Sequence, residues 1–406
     1  MSLSLTKQRF VALLLLITLF AQGAMAQSLP PAETRPANTQ YQPAFEGQTR
    51  APGIRTQQPY EVNILSQDLD SPWEVTALPD GRLIITEKRG TLRLFDLGTG
   101  LSAPIAGITG VADAGQGGLL DIAPAPDFMT SRLIYVSLAL SVEGGSLTAL
   151  GRGRLSADET RVEDFQILWQ GGPAFAGSGH FGSRIAIDSE GYVFVSTGDR
   201  QSMETRRQVQ ALSNAYGKIV RLDQDGQPAE GNPFARTDGA LPEIWSLGHR
   251  NVQGLAIHPI SQALWASEMG PRGGDELNLI KPGTNYGWPD IGYGIEYSGA
   301  PVGQGLTQQE GMAQPVYYWD PVLAASGMAF YTGKAMREWQ HNLFIGGLAG
   351  SHISRLVLEG ERVTHEERLL ADEGQRFRDV ADGPDGALYA VTDQGRLYRI
   401  GAAAEN

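Results

Sequence analysis

No cysteine occurs among the 406 residues. Disulfides, thiolate metal centres and a lipid anchor on a mature N-terminal cysteine are excluded together, so any metal ligand is oxygen or nitrogen. Basic charge is also short: 32 Lys and Arg stand against 45 Asp and Glu, a net charge of −13. That balance argues against nucleic acid or an anionic membrane as the main partner. Beyond the first 26 residues no apolar run is long enough to span a bilayer. Long helical periodicities are scarce as well.

What is present begins with Lys7 and Arg9, an apolar stretch from Phe10 to Phe20, and Ala24-Met25-Ala26 ahead of Gln27. This is the pattern of an export signal over residues 1–26, so a periplasmic or secreted protein is expected. Residues 27–60, rich in Pro, Gln, Thr and Ala, read as a flexible tether. The folded domain is expected over 61–402, with 403–406 as a tail.

Within that domain short alternating apolar runs punctuated by glycine indicate an all-β chain. Pro79-Asp80-Gly81-Arg82-Leu83 leads through Ile84-Ile85-Thr86 to Gly90, and Pro384-Asp385-Gly386-Ala387-Leu388 leads through Tyr389-Ala390-Val391-Thr392 to Gly395. The two glycines are nine residues apart in both copies. Degenerate copies end in Leu133–Ser137, Tyr192–Ser196, Ala263–Ala266 and Leu343–Ile345. Six turn-strand-turn-strand units predict a six-bladed β-propeller of four-stranded antiparallel sheets, with a β-sandwich as the alternative. The long spacings at 197–239 and 270–315 are expected to shape a mouth on one face.

Polar clusters fall in the loops that leave these strands. His180 sits between Gly179 and Gly182, with Asp199 nineteen residues on, after a strand. A neutral imidazole can take a proton from a hydroxyl, and Asp199 can orient it; a structural histidine is the other reading. Gln116 lies between glycines and, taken alone, reads as a solvated turn rather than a ligand contact. Arg250 with Asn251, and Arg376 with Arg378, put three guanidiniums in loops of an acidic chain. Alternation places Arg376 and Arg378 on one side of a strand, suited to a multiply anionic ligand or to pairing with Asp379 and nearby acids. Glu268 to Glu276 mixes carboxylates with a Gly-Pro bend, either a solvated turn or a place for a hard cation.

In order along the chain, Gly115–Asp121, His180–Arg184 with Gly198-Asp199, Gly248–Asn251, Glu268–Asn278 with Asn285–Pro289, and Arg376–Val380 resemble the soluble pyrroloquinoline-quinone (PQQ) sugar dehydrogenases, the glucose/sorbosone dehydrogenase family. The resemblance runs from about Ser71 to Ile400 and is nearest the aldose sugar dehydrogenase branch. It implies PQQ and Ca²⁺ as cofactors, an aldose substrate oxidised at its C1 hydroxyl to a lactone, and His180 as the base. It also implies cofactor contacts at Gln116, Asp199, Arg250, Asn251, Tyr297, Arg376 and Arg378, and a Ca²⁺ on the carbonyls of Gly270 and Pro271. A second Ca²⁺ is implied at Glu276 and Tyr286. Where the glucose-oxidising branch has a lysine facing the cofactor this chain has Ala349, so cofactor binding is expected either to be weaker or to rest on main-chain groups of Leu348, Ala349 and Gly350. Electrons are expected to pass to a quinone or a cytochrome, from a monomer or weak dimer. Two other functions stand beside this one: a Ca²⁺-dependent propeller lactonase with its metal in the central channel, and a non-catalytic ligand-binding propeller.

Overall fold

The structure is a computed structural model that describes residues 29–403, so the export-signal expectation lies outside the described residues. Six four-stranded antiparallel sheets stand around a central axis. Their innermost strands are Pro72–Ala77, Leu119–Pro124, Ile185–Ile187, Val252–Ile257, Ala325–Phe330 and Phe377–Asp382, and they define blades 1 to 6. The six sequence repeats all fall on the second strand of a blade, from Leu83–Glu87 in blade 1 to Leu388–Thr392 in blade 6.

Each such strand is buried on both faces, which explains its continuous apolar run. In blade 1, Leu83 and Ile85 pack against blade 6 while Ile84 packs against blade 2. In blade 3, Val193 and Val195 face blade 2 and Phe194 faces blade 4. The core is thus divided among the six interfaces between blades. Tyr60–Ser66 pairs antiparallel with Leu397–Ala402 and completes blade 6, so the two ends of the domain close the ring together.

Residues 29–59 differ from the tether expected of them. Gly53 bridges to Glu366, the main-chain N–H and hydroxyl of Thr39 bind Asp320, and those of Thr56 bind Glu367 (2.7 Å each). Ala51 and Gln48 are buried. This strap covers the outer edges of blades 4 and 5, where unpaired main-chain groups would face solvent. Polar bonds rather than an apolar face hold it, which is why its composition looked unstructured. Its ion-pair anchor is Glu33, shared by Arg35 and Arg368 at 2.7 and 2.8 Å. Burial opposes ionisation of Glu33, but hydrogen bonds from Arg35 and Arg368 outweigh it and bring its pKa down to about 2.

A second repeat lies at the axis. The innermost strands begin Trp73-Glu74-Val75, Leu120-Asp121-Ile122, Ser183-Arg184-Ile185, Gln253-Gly254-Leu255, Ser326-Gly327-Met328 and Arg378-Asp379-Val380. In five of these strands the pairing register shifts at this point, a bulge that turns the middle residue inward. The Arg184 guanidinium pairs there with Glu74 and with Asp379 (3.1 Å), lies 3.9 Å from Asp121, donates to the Gln253 carbonyl (2.6 Å) and stacks on Trp73. Gly327 is required at its place, because a Cβ would collide with Asp379. Burial pushes Asp379 up to about 6, against the pull of Arg184.

Candidate active site

The loops above this axial cluster surround a cavity of about 200 Å³. Residues just before the axial positions, Trp73, Leu120, Gln253 and Arg378, form its floor. Gln116, Leu348 and Arg376 from the sequence reading also line it, together with Lys88, Phe181 and Met269, which that reading missed.

His180, 4% exposed, lies just behind the lining, next in sequence to Phe181 and Gly182, which line the cavity. Its main-chain N–H donates to the Gln116 side-chain oxygen (2.9 Å), and its φ of 44° puts it in the left-handed region. A non-glycine residue is held there only when its surroundings over-determine it. Gly182, with φ 63°, supplies part of that constraint: a Cβ there would come within 2.6 Å of the Thr197 main chain. Asp199 follows the second strand of blade 3 and is fully buried. Its Oδ1 accepts from His180 Nδ1 at 2.6 Å and from the Gln201 N–H at 2.9 Å; its Oδ2 accepts from the Trp288 indole at 2.9 Å.

Burial lowers the His180 pKa, Arg250 lowers it further, and Asp199 only partly opposes them. For Asp199 burial works upward, but the His180 hydrogen bond and nearby positive charge prevail, and its pKa is lowered. The pair is therefore neutral imidazole and carboxylate near neutral pH. With Nδ1–H committed to Asp199, Nε2 carries the free lone pair.

Arg376 and Arg378 do project to one side, with Phe377 buried on the other. Both bind one carboxylate, Asp393, through Nε at 2.8 Å each. Asp379 belongs instead to the axial cluster. Asn251 accepts from the Gly182 N–H (3.1 Å), and Arg250 donates to the carbonyls of Met269 and Gly270 at 2.9 and 2.8 Å.

Among the expected contacts, Asp199, Arg250 and Asn251 stand behind the cavity lining, joined to it through His180, Met269 and Gly182, and two more are turned away from it. Tyr297 is 71% exposed and outside the cavity lining. Ala349 is exposed, and the N–H groups of Leu348 and Gly350 are committed to Ala324 and Leu323. Of Leu348, Ala349 and Gly350, only Leu348 lines the cavity. The long spacings also divide. Thr197–Gly217 leaves the mouth end of its strand, but 223–243 hangs from the Leu222 end, opposite. Residues 281–316 climb back to the mouth and deliver Trp288.

Among the described residues no three His, Cys, Asp or Glu side chains are grouped to hold a metal. A carbonyl-based site fits differently. A second cavity of about 20 Å³, room for one ion or water, is lined by Glu268, Gly270, Pro271, Glu276 and Tyr286, with Arg250 also in its wall. Asn278 donates to both Glu268 and Glu276, and its own side-chain oxygen is buried without a partner. Burial and the Glu268 charge raise the Glu276 pKa. Paired carboxylates beside an orphaned amide oxygen suit a hard cation. The Tyr286 hydroxyl is already bonded to Leu279 and Lys281, which leaves its main-chain oxygen as the available donor.

The glucose/sorbosone dehydrogenase family matches residues 69–399. Aldose sugar dehydrogenase YliI of Escherichia coli is 44% identical over 344 residues, 84% of this chain and 92% of that protein. The apo-form crystal structure of the soluble E. coli aldose sugar dehydrogenase superposes with a TM-score of 0.81 at 42% identity, over 85% of this chain and all of that one. The PQQ-bound aldose sugar dehydrogenase of Streptomyces coelicolor gives 0.70 at 29% identity, over 86% and 99%. With a blade-by-blade match across the ring and the His180–Asp199 pair beside a cationic cavity, the chain belongs to the glucose/sorbosone dehydrogenase family.

Proposed function

We propose that this protein oxidises the C1 hydroxyl of aldoses to lactones with PQQ and Ca²⁺, and passes the electrons to a quinone or a cytochrome outside the cytoplasm. The observation that carries the reading is the neutral His180, oriented by Asp199 at the edge of a cavity bearing Arg376 and Arg378. The relatives described above support it.

His180 Nε2 takes the proton of the C1 hydroxyl. Asp199 stabilises the imidazolium that results and keeps Nδ1 protonated throughout. Gln116 fixes the backbone of His180, and Trp288 fixes Asp199. Arg376 and Arg378 hold ligand carboxylates, while Leu348, Trp73 and Phe181 give the cavity apolar walls. PQQ, when bound, supplies the hydride acceptor, and Ca²⁺ supplies Lewis acidity beside it. The carbonyls of Gly270 and Pro271 would hold that ion once Arg250 releases Gly270, and Glu276 with the Tyr286 main-chain oxygen would hold a second.

A central-channel metal, as a lactonase reading requires, is disfavoured because the Arg184 guanidinium occupies the axial carboxylates. Protein reconstituted with PQQ and Ca²⁺ should reduce an electron-accepting dye when given an aldose. His180→Ala should lower the rate by about 10²- to 10⁴-fold while PQQ still binds. Absence of turnover across a broad panel of sugars, or lactone hydrolysis without PQQ, overturns the proposal.

A further inference from the structure

We infer that Lys88, in the tight turn after the second strand of blade 1, binds a carboxylate of the cofactor as the third cation of the cavity. The inference rests on the cofactor assignment proposed above.

The turn Glu87-Lys88-Arg89-Gly90 joins two strands and would ordinarily leave a lysine in solvent. Here the main chain at Lys88 is clamped. Its carbonyl accepts from the Leu119 N–H at 2.8 Å, its N–H donates to Ser71 (3.2 Å), and a Cβ on Gly118 would strike that carbonyl. The side chain is half-buried against the cavity. Its ammonium has one short contact, the neutral carbonyl of Gly115 at 2.8 Å. Among the described residues no carboxylate lies within ion-pairing distance of it, in contrast to Arg376 and Arg378, which share Asp393.

The electrostatics agree. Burial lowers the Lys88 pKa; Asp113 and Asp393 act upward from a distance, and Arg378 acts downward. A half-buried cation beside other cations with no bonded anion is an incomplete arrangement, and an incoming carboxylate completes it. The loop whose Gly115 carbonyl meets the Lys88 ammonium also carries Gln116, whose oxygen is tied to His180. A carboxylate bridging Lys88 and Arg378 would therefore seat the ligand on the loop that positions the base. An acidic sugar could present the same group, and the experiment separates the two sources.

PQQ is titrated into the full-length protein with Ca²⁺, following quenching of intrinsic tryptophan fluorescence, since Trp73 lines the cavity. Wild type is compared with Lys88→Gln, Lys88→Arg and the exposed control Lys334→Gln, each checked for an unchanged melting temperature. Lys88→Gln should raise the Kd for PQQ about tenfold or more, as for loss of a charge-assisted hydrogen bond. Its Kd should also respond less to salt. Lys88→Arg should stay close to wild type, and Lys334→Gln should match it. If wild type binds PQQ and Lys88→Gln binds within twofold of it, this inference fails while the proposed function stands. If Lys88→Gln changes only KM for a uronic acid against a neutral aldose, the anion belongs to the substrate and the inference is likewise overturned. Failure of wild type to bind PQQ removes both.

Discussion

Trp288 and Asp199 meet at 2.9 Å, indole N–H to Oδ2, across 89 residues of chain. The other oxygen of the same carboxylate holds His180. Trp288 thus fixes the carboxylate that orients His180 and also draws charge from it. Trp288→Phe should cost about tenfold in kcat, the order expected for one hydrogen bond to a charged group. It should also move the acid limb of the rate profile to higher pH, because the freed carboxylate attracts a proton on His180 more strongly. An unchanged limb would show that the contact is only structural.

The pH profile itself has a defined sign. The His180 pKa is depressed below the ordinary 6.5 in the folded protein, by burial first and Arg250 second. The base form therefore persists on acidification, and kcat/KM should fall only below pH 6.5. Asp199→Asn should push this limb still lower, since the carboxylate is what opposes the depression. The plateau should drop about 10²-fold or more, as the wrong tautomer becomes available. A pH-rate series on both proteins checks this.

Arg378 both lines the cavity and is held by Asp393. Arg378→Ala should weaken PQQ binding by about tenfold to a hundredfold, with KM for a neutral aldose little changed once cofactor saturates. Isothermal titration against PQQ and steady-state kinetics at saturating cofactor separate the two effects.

Gly182→Ala introduces a Cβ 2.6 Å from the Thr197 main chain at φ 63°. The loop must shift, and His180 with it. A stability loss of about 1–3 kcal/mol is expected, measured by denaturant unfolding, with a fall in kcat larger than the melting shift alone would explain.

The strap should detach in acid. Glu33 has a folded pKa of about 2 against an ordinary 4.5. Its stabilisation is fully present above pH 4.5 and is lost as pH falls toward 2. Hydrogen exchange in residues 29–59 should rise over that window, earlier than in the blades, and Glu33→Gln should show raised exchange already at neutral pH.

The propeller was legible because its second strands are buried on both faces and so repeat a visible apolar string, as in Leu83-Ile84-Ile85 and Tyr192-Val193-Phe194-Val195. The axial repeat was not. It amounts to one residue per blade, and Glu74, Asp121, Arg184, Gly254, Gly327 and Asp379 look unrelated until the ring places them at one level of the axis, with a bulge at all but Arg184. His180 and Asp199 could be paired by their glycines, whereas Trp288 arrives from a connection whose path no local pattern records. Lys88 was hidden by its turn, whose sequence reads as solvated surface. Tyr297 misled in the opposite sense: its loop has the motif, yet the ring stands out in solvent.

The guanidinium of Arg184, gripped by blades 1, 4 and 6, stops the shaft of the ring directly beneath the cavity. The chamber is consequently a blind well with a single doorway. On the function proposed above, sugar, lactone and electron acceptor would use that doorway in turn, so the two half-reactions would alternate in time, and a crowded supply of either visitor would obstruct the other. Parallel double-reciprocal lines, with inhibition at high acceptor concentration, are the kinetic form that a stoppered ring imposes.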